Sequence, residues 1–166
     1  GHDVARYKRL PLLSGFRAYA VSALANIIKG ISEHYVVEID GERIDGKQTM
    51  ICACNGRFYG GGFCPVPDAD PTDGKLEVLL VKKVSRLKVL GVIGKYKNGR
   101  YKELKELVRH FSTDKIRIIC DKPTGINLDG ERREGKVIEM SVADEKLRFF
   151  YPKQLTWKKE EAVQCV

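Results

Sequence analysis

From residue 115 to residue 151 apolar and polar side chains alternate with a period of two, and short polar turns cut the run into strand-sized pieces. Residues 116–120 come first. Residues 126–128 follow ahead of Asp129-Gly130, then 137–142, then 147–151, with 143–146 as a hairpin turn. A period of two sets one side of each piece against a core and leaves the other in water, as a half-buried sheet requires. The pattern also appears upstream. Residues 35–39 end at Asp40-Gly41, a second Asp-Gly follows at 45–46, and residues 49–54 set Met50, Cys52 and Cys54 on one face and Ile51 and Ala53 on the other. Residues 76–81 form a short apolar run, the mark of a buried strand.

Three segments carry helical spacing instead. Residues 14–29 open on Ser14 as N-cap, repeat apolar residues at Phe16, Tyr19/Ala20, Ala23/Leu24 and Ile27/Ile28, and stop at Gly30. Residues 85–94 and 100–110 read as two short helices, the second aligning Tyr101, Leu104, Leu107/Val108 and Phe111 on one face. Strands in groups with helices inserted, without regular β-α alternation, predict a mainly β chain: an antiparallel β-sandwich with about three marginal α-helices. Residues 158–166 read as a polar tail.

At 166 residues the chain has the length of one domain, and 43% hydrophobic with 31% charged residues excludes a disordered or collagen-like chain. No apolar run approaches the roughly 18 residues of a membrane-spanning helix. The first residues, Gly-His-Asp-Val-Ala-Arg, carry no signal peptide and no initiator Met, so the chain reads as a piece of a longer protein. Thirty Lys and Arg against 22 Asp and Glu give a net charge of +8, which favours anionic partners. The basic residues are scattered, and RNA-binding aromatic signatures are absent, so no nucleic-acid partner is expected. Five cysteines at irregular spacing (Cys52, Cys54, Cys64, Cys120, Cys165) argue for a reducing compartment and against a disulfide framework. The three histidines lie far from Cys52-Ala-Cys54, which therefore reads as buried strand thiols rather than a zinc site.

Three features could carry chemistry. The run Gly60-Gly61-Gly62 permits close backbone approach, but prolines follow it where a phosphate loop needs a helix, so it reads first as a bend or bulge. Asp70-Pro-Thr-Asp73-Gly74-Lys75 reads as an Asp-Gly turn whose carboxylate and carbonyls also suit a hard cation. Asp-Gly-Glu occurs twice, at 40–42 and 129–131, each time after a strand. Two carboxylates around a glycine can take a hydroxyl proton and touch a metal, and periodicity does not separate the two triplets.

The segment 55–78, with its Asn, glycine triplet, Pro, Ala and Asp-Gly-Lys-Leu, resembles the C-terminal lobe of lipid kinases of the diacylglycerol kinase / sphingosine kinase type. Gly94-Lys95-Tyr96 stands where that family has Gly-Lys-His, Asp129-Gly130-Glu131 where it has a late Asp-Gly-Glu, and Gly1-His2-Asp3-Val4 where it has Gly-x-Asp-Ala. The likeness runs to about residue 157. It implies a substrate-side β-sandwich lobe over 1–157, with ATP carried on an N-terminal nucleotide lobe whose Gly-Gly-Asp-Gly-Thr motif this chain lacks. It implies that Asp129 and Glu131 are the catalytic carboxylates, activating a lipid hydroxyl and helping to hold Mg²⁺. It further implies a structural Mg²⁺ on Asp73 with the carbonyls of Asp70 and Lys75, and leaves 40–42 a turn. Gly60, Gly61 and Gly62 form the substrate-side loop. The expected setting is the cytoplasmic face of a membrane. The implied partners are the lipid, the nucleotide lobe and, through a free sheet edge, a second chain. An NAD kinase-type lobe and a non-catalytic, membrane- or protein-binding basic sandwich are the alternatives.

Overall fold

The computed structural model describes residues 32–60, 62–145, 147, 148 and 150. The predicted helix at 14–29 and the tail at 158–166 lie outside them. Six antiparallel strands form one sheet: β1 (Glu33–Ile39), β2 (Glu42–Cys54), β3 (Leu76–Lys82), β4 (Val108–Thr113), β5 (Lys115–Leu128) and β6 (Glu131–Ser141), in the order β4-β3-β2-β1-β5-β6.

That order has a strong geometric consequence. β4 and β5 are joined through Asp114 alone, yet three strands lie between them in the sheet. Four inter-strand steps in a flat sheet would span about 19 Å. One linking residue reaches no more than roughly 7 Å between its neighbours' Cα atoms. The sheet must therefore curl until β4 approaches the start of β5. The bend is in β2, which pairs with β1 from Glu42 to Gln48 and with β3 from Gln48 to Cys54, the register slipping between Gln48 and Met50. A strand that serves two arms through a bulge makes the corner of a sandwich. One contact crosses the curl: the Arg109 guanidinium of β4 meets Glu42 of β2 at 2.6 Å.

Curling gives the sheet an inside. Val37, Ile39, Val78, Leu80, Ile116, Ile118 and Cys120 form one buried cluster fed by β1, β3 and β5. On the other face of β2 and β3, Cys54, Leu79 and Val108 meet Val66, Ala69, Tyr96, Tyr101 and Leu104. This second cluster is roofed by the loop 55–75, by the helix α1 (Arg86–Lys97) and by a 3-10 helix at Tyr101–Leu104. Ser85 caps α1 by accepting the Lys88 N–H, and Lys95 and Lys97 sit in its last turn, where the helix dipole favours cations.

The mainly β, antiparallel architecture matches the expectation, with differences in detail. The predicted helix at 100–110 is one 3-10 turn followed by β4. A segment that short gains little from its own helical hydrogen bonds. The outer edge of β3 offers it a six-residue ladder, Val81↔Val108 to Leu76↔Thr113. Asp45-Gly46 is no turn but lies inside β2. Residues 116–120 and 126–128 are one strand, bent between Ile119 and Thr124. After Ser141 the described residues form no strand.

Gly99 closes α1 at φ +70, and a Cβ there would lie 2.5 Å from Pro67 Cδ and 2.9 Å from the Cys64 carbonyl. Gly99→Ala is therefore expected to lower stability by about 2–4 kcal/mol through the left-handed backbone and the overlap together. Gly91→Ala, in open space on α1, is expected to raise it by roughly 0.5–1 kcal/mol. Urea denaturation of both variants checks the pair.

Candidate functional site

The two Asp-Gly-Glu triplets have the same backbone. Asp40 and Asp129 both lie at φ 48, with Gly41 at 78 and Gly130 at 100, so both are two-residue hairpin turns with positive φ at both positions. Their surroundings differ. Asp129 is exposed at the tip of the β5–β6 hairpin, where the Asn127 side chain accepts the Gly130 N–H at 3.0 Å and fixes the turn. Among the described residues no hydrogen bond or ion pair engages the Asp129 carboxylate, and Glu131 has only a 3.7 Å contact with Arg133. The Cys52 hydrogen bond and burial push the Cys54 thiol up, and the negative charge of Asp129 adds a smaller push in the same direction.

The 40–42 triplet sits across nearly the whole of β5 from that tip, since Ile39 pairs with Ile116. It borders a cleft of about 570 Å³ lined by Glu38, Asp40, Glu42, Arg43, Lys115 and Glu139, among others. Arg43–Glu38, Arg117–Glu38 and Arg117–Glu139 pair across it at 2.6, 3.3 and 3.0 Å. Asp40 and Asp114 leave the lining with an acidic excess, and the cleft is remote from the Asp129 tip.

The loop 55–75 follows the last residue of β2, Cys54. Tyr59 and Phe63 exchange backbone hydrogen bonds at 2.9 and 3.0 Å and stack their rings at 5.8 Å, so the glycine run spans a tight loop. Gly60 at φ 56 and Gly62 at φ 103 adopt conformations that favour glycine; Gly61 lies outside the described residues. The bend expected from the prolines is what forms. Beyond it, Cys64, Pro65, Val66 and Ala69 are buried, so the middle of the loop is a core layer while its glycine bend and the turn at 71–75 are exposed.

In the next turn the buried Asp70 carboxylate accepts the Thr72 N–H at 2.9 Å and its hydroxyl at 2.6 Å. The Asp70 carbonyl accepts the Asp73 N–H at 3.3 Å, and Asp73 Oδ1 accepts the Lys75 N–H at 2.8 Å. One turn thus gathers Asp73, the Asp70 carbonyl and Lys75. This oxygen set fits a hard cation held partly by water, and the Asp70 side chain is already committed to the loop. Among the described residues no three His, Cys, Asp or Glu side chains cluster as a metal site.

Two further constellations are built by the sheet. Cys52 Sγ and Cys54 Sγ are 3.3 Å apart, and the Tyr59 hydroxyl donates to the Tyr96 hydroxyl at 3.1 Å beside them. The Cys54 hydrogen bond, helped by both phenols against the cost of burial, lowers Cys52 to about 7. Cys54 is pushed up, mainly by that same bond, and burial raises Tyr59 and Tyr96. Tyr96, where the resemblance has His, is thus a buried phenol of this cluster. Nearby, Glu77 bridges His110 and Ser112, with Ser112 at 2.9 Å, and Tyr101 packs on the His110 ring at 4.9 Å. The shared face of Met50, Cys52 and Cys54 signalled the thiol pair; the tyrosines and the Glu77 bridge depend on strand pairing that spacing alone does not reveal.

Residues 4–151 match the family described as the YegS C-terminal NAD kinase beta sandwich-like domain. The chain belongs to that family. The family match supplies the sandwich-like description, and the curl supplies its physical basis. A protein named "Putative lipid kinase" from Staphylococcus carnosus (strain TM300) is 22% identical over 134 residues, covering 81% of this chain and 44% of the relative. One of the same name from Staphylococcus aureus (strain Newman) is 26% identical over 117 residues, covering 70% and 38%. A crystal structure titled a diacylglycerol kinase from Bacillus anthracis str. Sterne shares the fold at TM-score 0.51 and 16% identity, covering 72% of this chain and 43% of that one. Another, titled a "putative diacylglycerol kinase" from the same organism, reaches TM-score 0.55 at 19% identity, covering 72% and 40%. The YegS-type domain thus spans about two-fifths of the length of these relatives. No helix among the described residues is long and apolar enough to cross a membrane.

Because the Asp70 carboxylate serves its own loop, Asp70→Ala is expected to cost about 1–3 kcal/mol of stability. The loss should be the same with and without Mg²⁺ in thermal unfolding, whereas any Mg²⁺-dependent stabilisation should disappear in Asp73→Ala.

Proposed function

We propose that this domain is the substrate-side lobe of an ATP- and Mg²⁺-dependent lipid kinase that phosphorylates the hydroxyl of diacylglycerol or a similar lipid. The carrying observation is the Asp129–Glu131 hairpin tip: two exposed carboxylates on a turn fixed by Asn127, unpaired or nearly so among the described residues. The names of the relatives support the lipid branch of the family over the NAD kinase one.

Phosphoryl transfer to an alcohol is mostly positioning and charge control. Asp129 accepts the hydroxyl proton as the hydroxyl oxygen bonds to the γ-phosphorus of ATP and the bond to the ADP oxygen breaks. Glu131 keeps the tip anionic and, with Asp129, would help hold Mg²⁺, which when bound neutralises phosphate charge; Asp73 with the Asp70 and Lys75 carbonyls would hold a structural Mg²⁺. Gly60, Gly61 and Gly62 form the substrate-side loop and leave room for close backbone approach. The nucleotide sits on the protein's own N-terminal lobe, so the isolated chain is inactive.

The net charge of +8 and the exposed Leu87, Leu90 and Ile93 of α1 support peripheral binding at the cytoplasmic face of a membrane. Among the described residues β4 and β6 are the sheet edges, where a second copy or a covering helix would pair or pack.

In the protein at its full natural length, Asp129→Asn is expected to cut Mg²⁺-dependent phosphate transfer from ATP to diacylglycerol micelles by about 10²-fold or more, with an unchanged melting temperature. An active Asp129→Asn enzyme, or robust lipid phosphorylation by the 166-residue chain alone, overturns the assignment.

A further inference from the structure

We propose that Cys52 and Cys54 form a peroxide-oxidisable dithiol, with Cys52 as the attacking thiolate and Cys54 as the resolving thiol. The inference is independent of the kinase reading and rests on how β2 presents the two side chains.

Residues two apart on a strand share a face, and here the sulfurs lean together to 3.3 Å. A disulfide requires about 2.05 Å, so closure asks for roughly 1.3 Å of movement. β2 can supply it at this point. β1 pairs with β2 only up to Gln48, so the segment carrying Cys52 and Cys54 has a ladder to β3 on one side and none to β1 on the other. Cys54 is also the last residue of the strand before the loop.

The surroundings separate the two thiols into roles. Cys52 is partly buried, with the Cys54 sulfur at 3.3 Å and the Tyr59 and Tyr96 phenols beside it. A thiol and phenols around one sulfur favour its thiolate. Cys54 is buried, and its contact with Cys52, its burial and the nearby charge of Glu77 keep it a thiol. Cys64 and Cys120, at 0% and 2% exposure, provide buried controls in the same chain.

The chemistry balances with hydrogen peroxide as the oxidant. Cys52 Sγ bonds to one peroxide oxygen, the O–O bond breaks, and the departing hydroxide takes a proton from water or a phenol. The resulting sulfenic acid is attacked by Cys54 Sγ; the S–S bond forms, the S–O bond breaks, and the leaving hydroxide departs as water with the Cys54 proton. Two thiols and one peroxide give one disulfide and two waters.

The test uses the protein at its full natural length, treated with one equivalent of hydrogen peroxide, blocked with iodoacetamide and digested with trypsin. The peptide 48–57 holds both cysteines. It is expected to lose two hydrogens in mass and to resist alkylation until reduced. Limiting iodoacetamide at neutral pH should label Cys52 at least about tenfold faster than Cys64 or Cys120. Cys54→Ser should stop at the sulfenic acid, trapped at Cys52 as a dimedone adduct, and Cys52→Ser should give neither product. Tyr96→Phe should move the midpoint of Cys52 alkylation to higher pH, a shift that a purely packing role for the phenol does not produce. An unmodified 48–57 peptide after peroxide, or equal labelling of Cys52, Cys64 and Cys120 in the native protein, overturns the proposal.

Discussion

The single-residue link between β4 and β5 is the constraint on which the described structure depends. Asp114 can join those strands only if the sheet folds back on itself, and β2 is the strand that turns the corner. Everything inside the curl follows. Val78 and Leu80 of one arm reach Val37, Ile39, Ile116 and Ile118 of the other, and a sheet that would otherwise bury one face against an outside partner becomes its own second layer. The Arg109–Glu42 pair sits where the arms meet, but an ion pair this exposed adds little energy of its own. The apolar cluster and the covalent shortness of the link hold the shape.

The outer face of β2 and β3 meets a different solution. It carries Cys54 and Leu79 and would be a wet apolar patch, yet the glycine- and proline-rich loop 55–75 lies across it with Val66 and Ala69 buried. α1 and the 3-10 helix add Tyr96, Tyr101 and Leu104. The loop is anchored through the Cys64 N–H, which donates to the Lys97 carbonyl at 2.9 Å, and through Pro67 packed on Gly99. A segment composed like a flexible connection is therefore anchored at its middle, with the exposed glycine bend on one side of the anchor and the exposed Asp73 turn on the other.

Much of this was legible from periodicity. Strands at 35–39, 49–54, 76–81 and 116–120 were readable because burial on one face imposes alternation, and the helix at 85–94 from its helical spacing; the Ser85 cap came only with the structure. The failures share a cause. Val108 and Phe111 fit a helical face with Tyr101 and Leu104, but the free edge of β3 decided their conformation, and no local signal reports an edge 30 residues upstream. Asp45-Gly46 looks like a turn until β1 pairs across it. The family resemblance located the Asp129 tip; the Cys52–Tyr96 and Glu77–His110 groupings needed the three-dimensional pairing.

The two Asp-Gly-Glu turns show how little of a site resides in its motif. They share three residues, a turn type and a φ of 48 at the aspartate. At 40–42 the glutamate is tied to Arg109 at 2.6 Å, while Asp40, like Asp129, has no hydrogen bond or ion pair among the described residues. At 129–131 Asn127 fixes the turn and the glutamate has only a 3.7 Å contact with Arg133, so neither carboxylate is closely paired. An unpaired carboxylate keeps its lone pairs for a proton or a cation, whereas a paired one has already been neutralised. What distinguishes the turns is therefore position in the curled sheet: one lies where the two arms close on each other, the other at the far end of the long β5–β6 hairpin. A carboxylate pair so placed is suited to act across a cleft whose opposite wall comes from elsewhere.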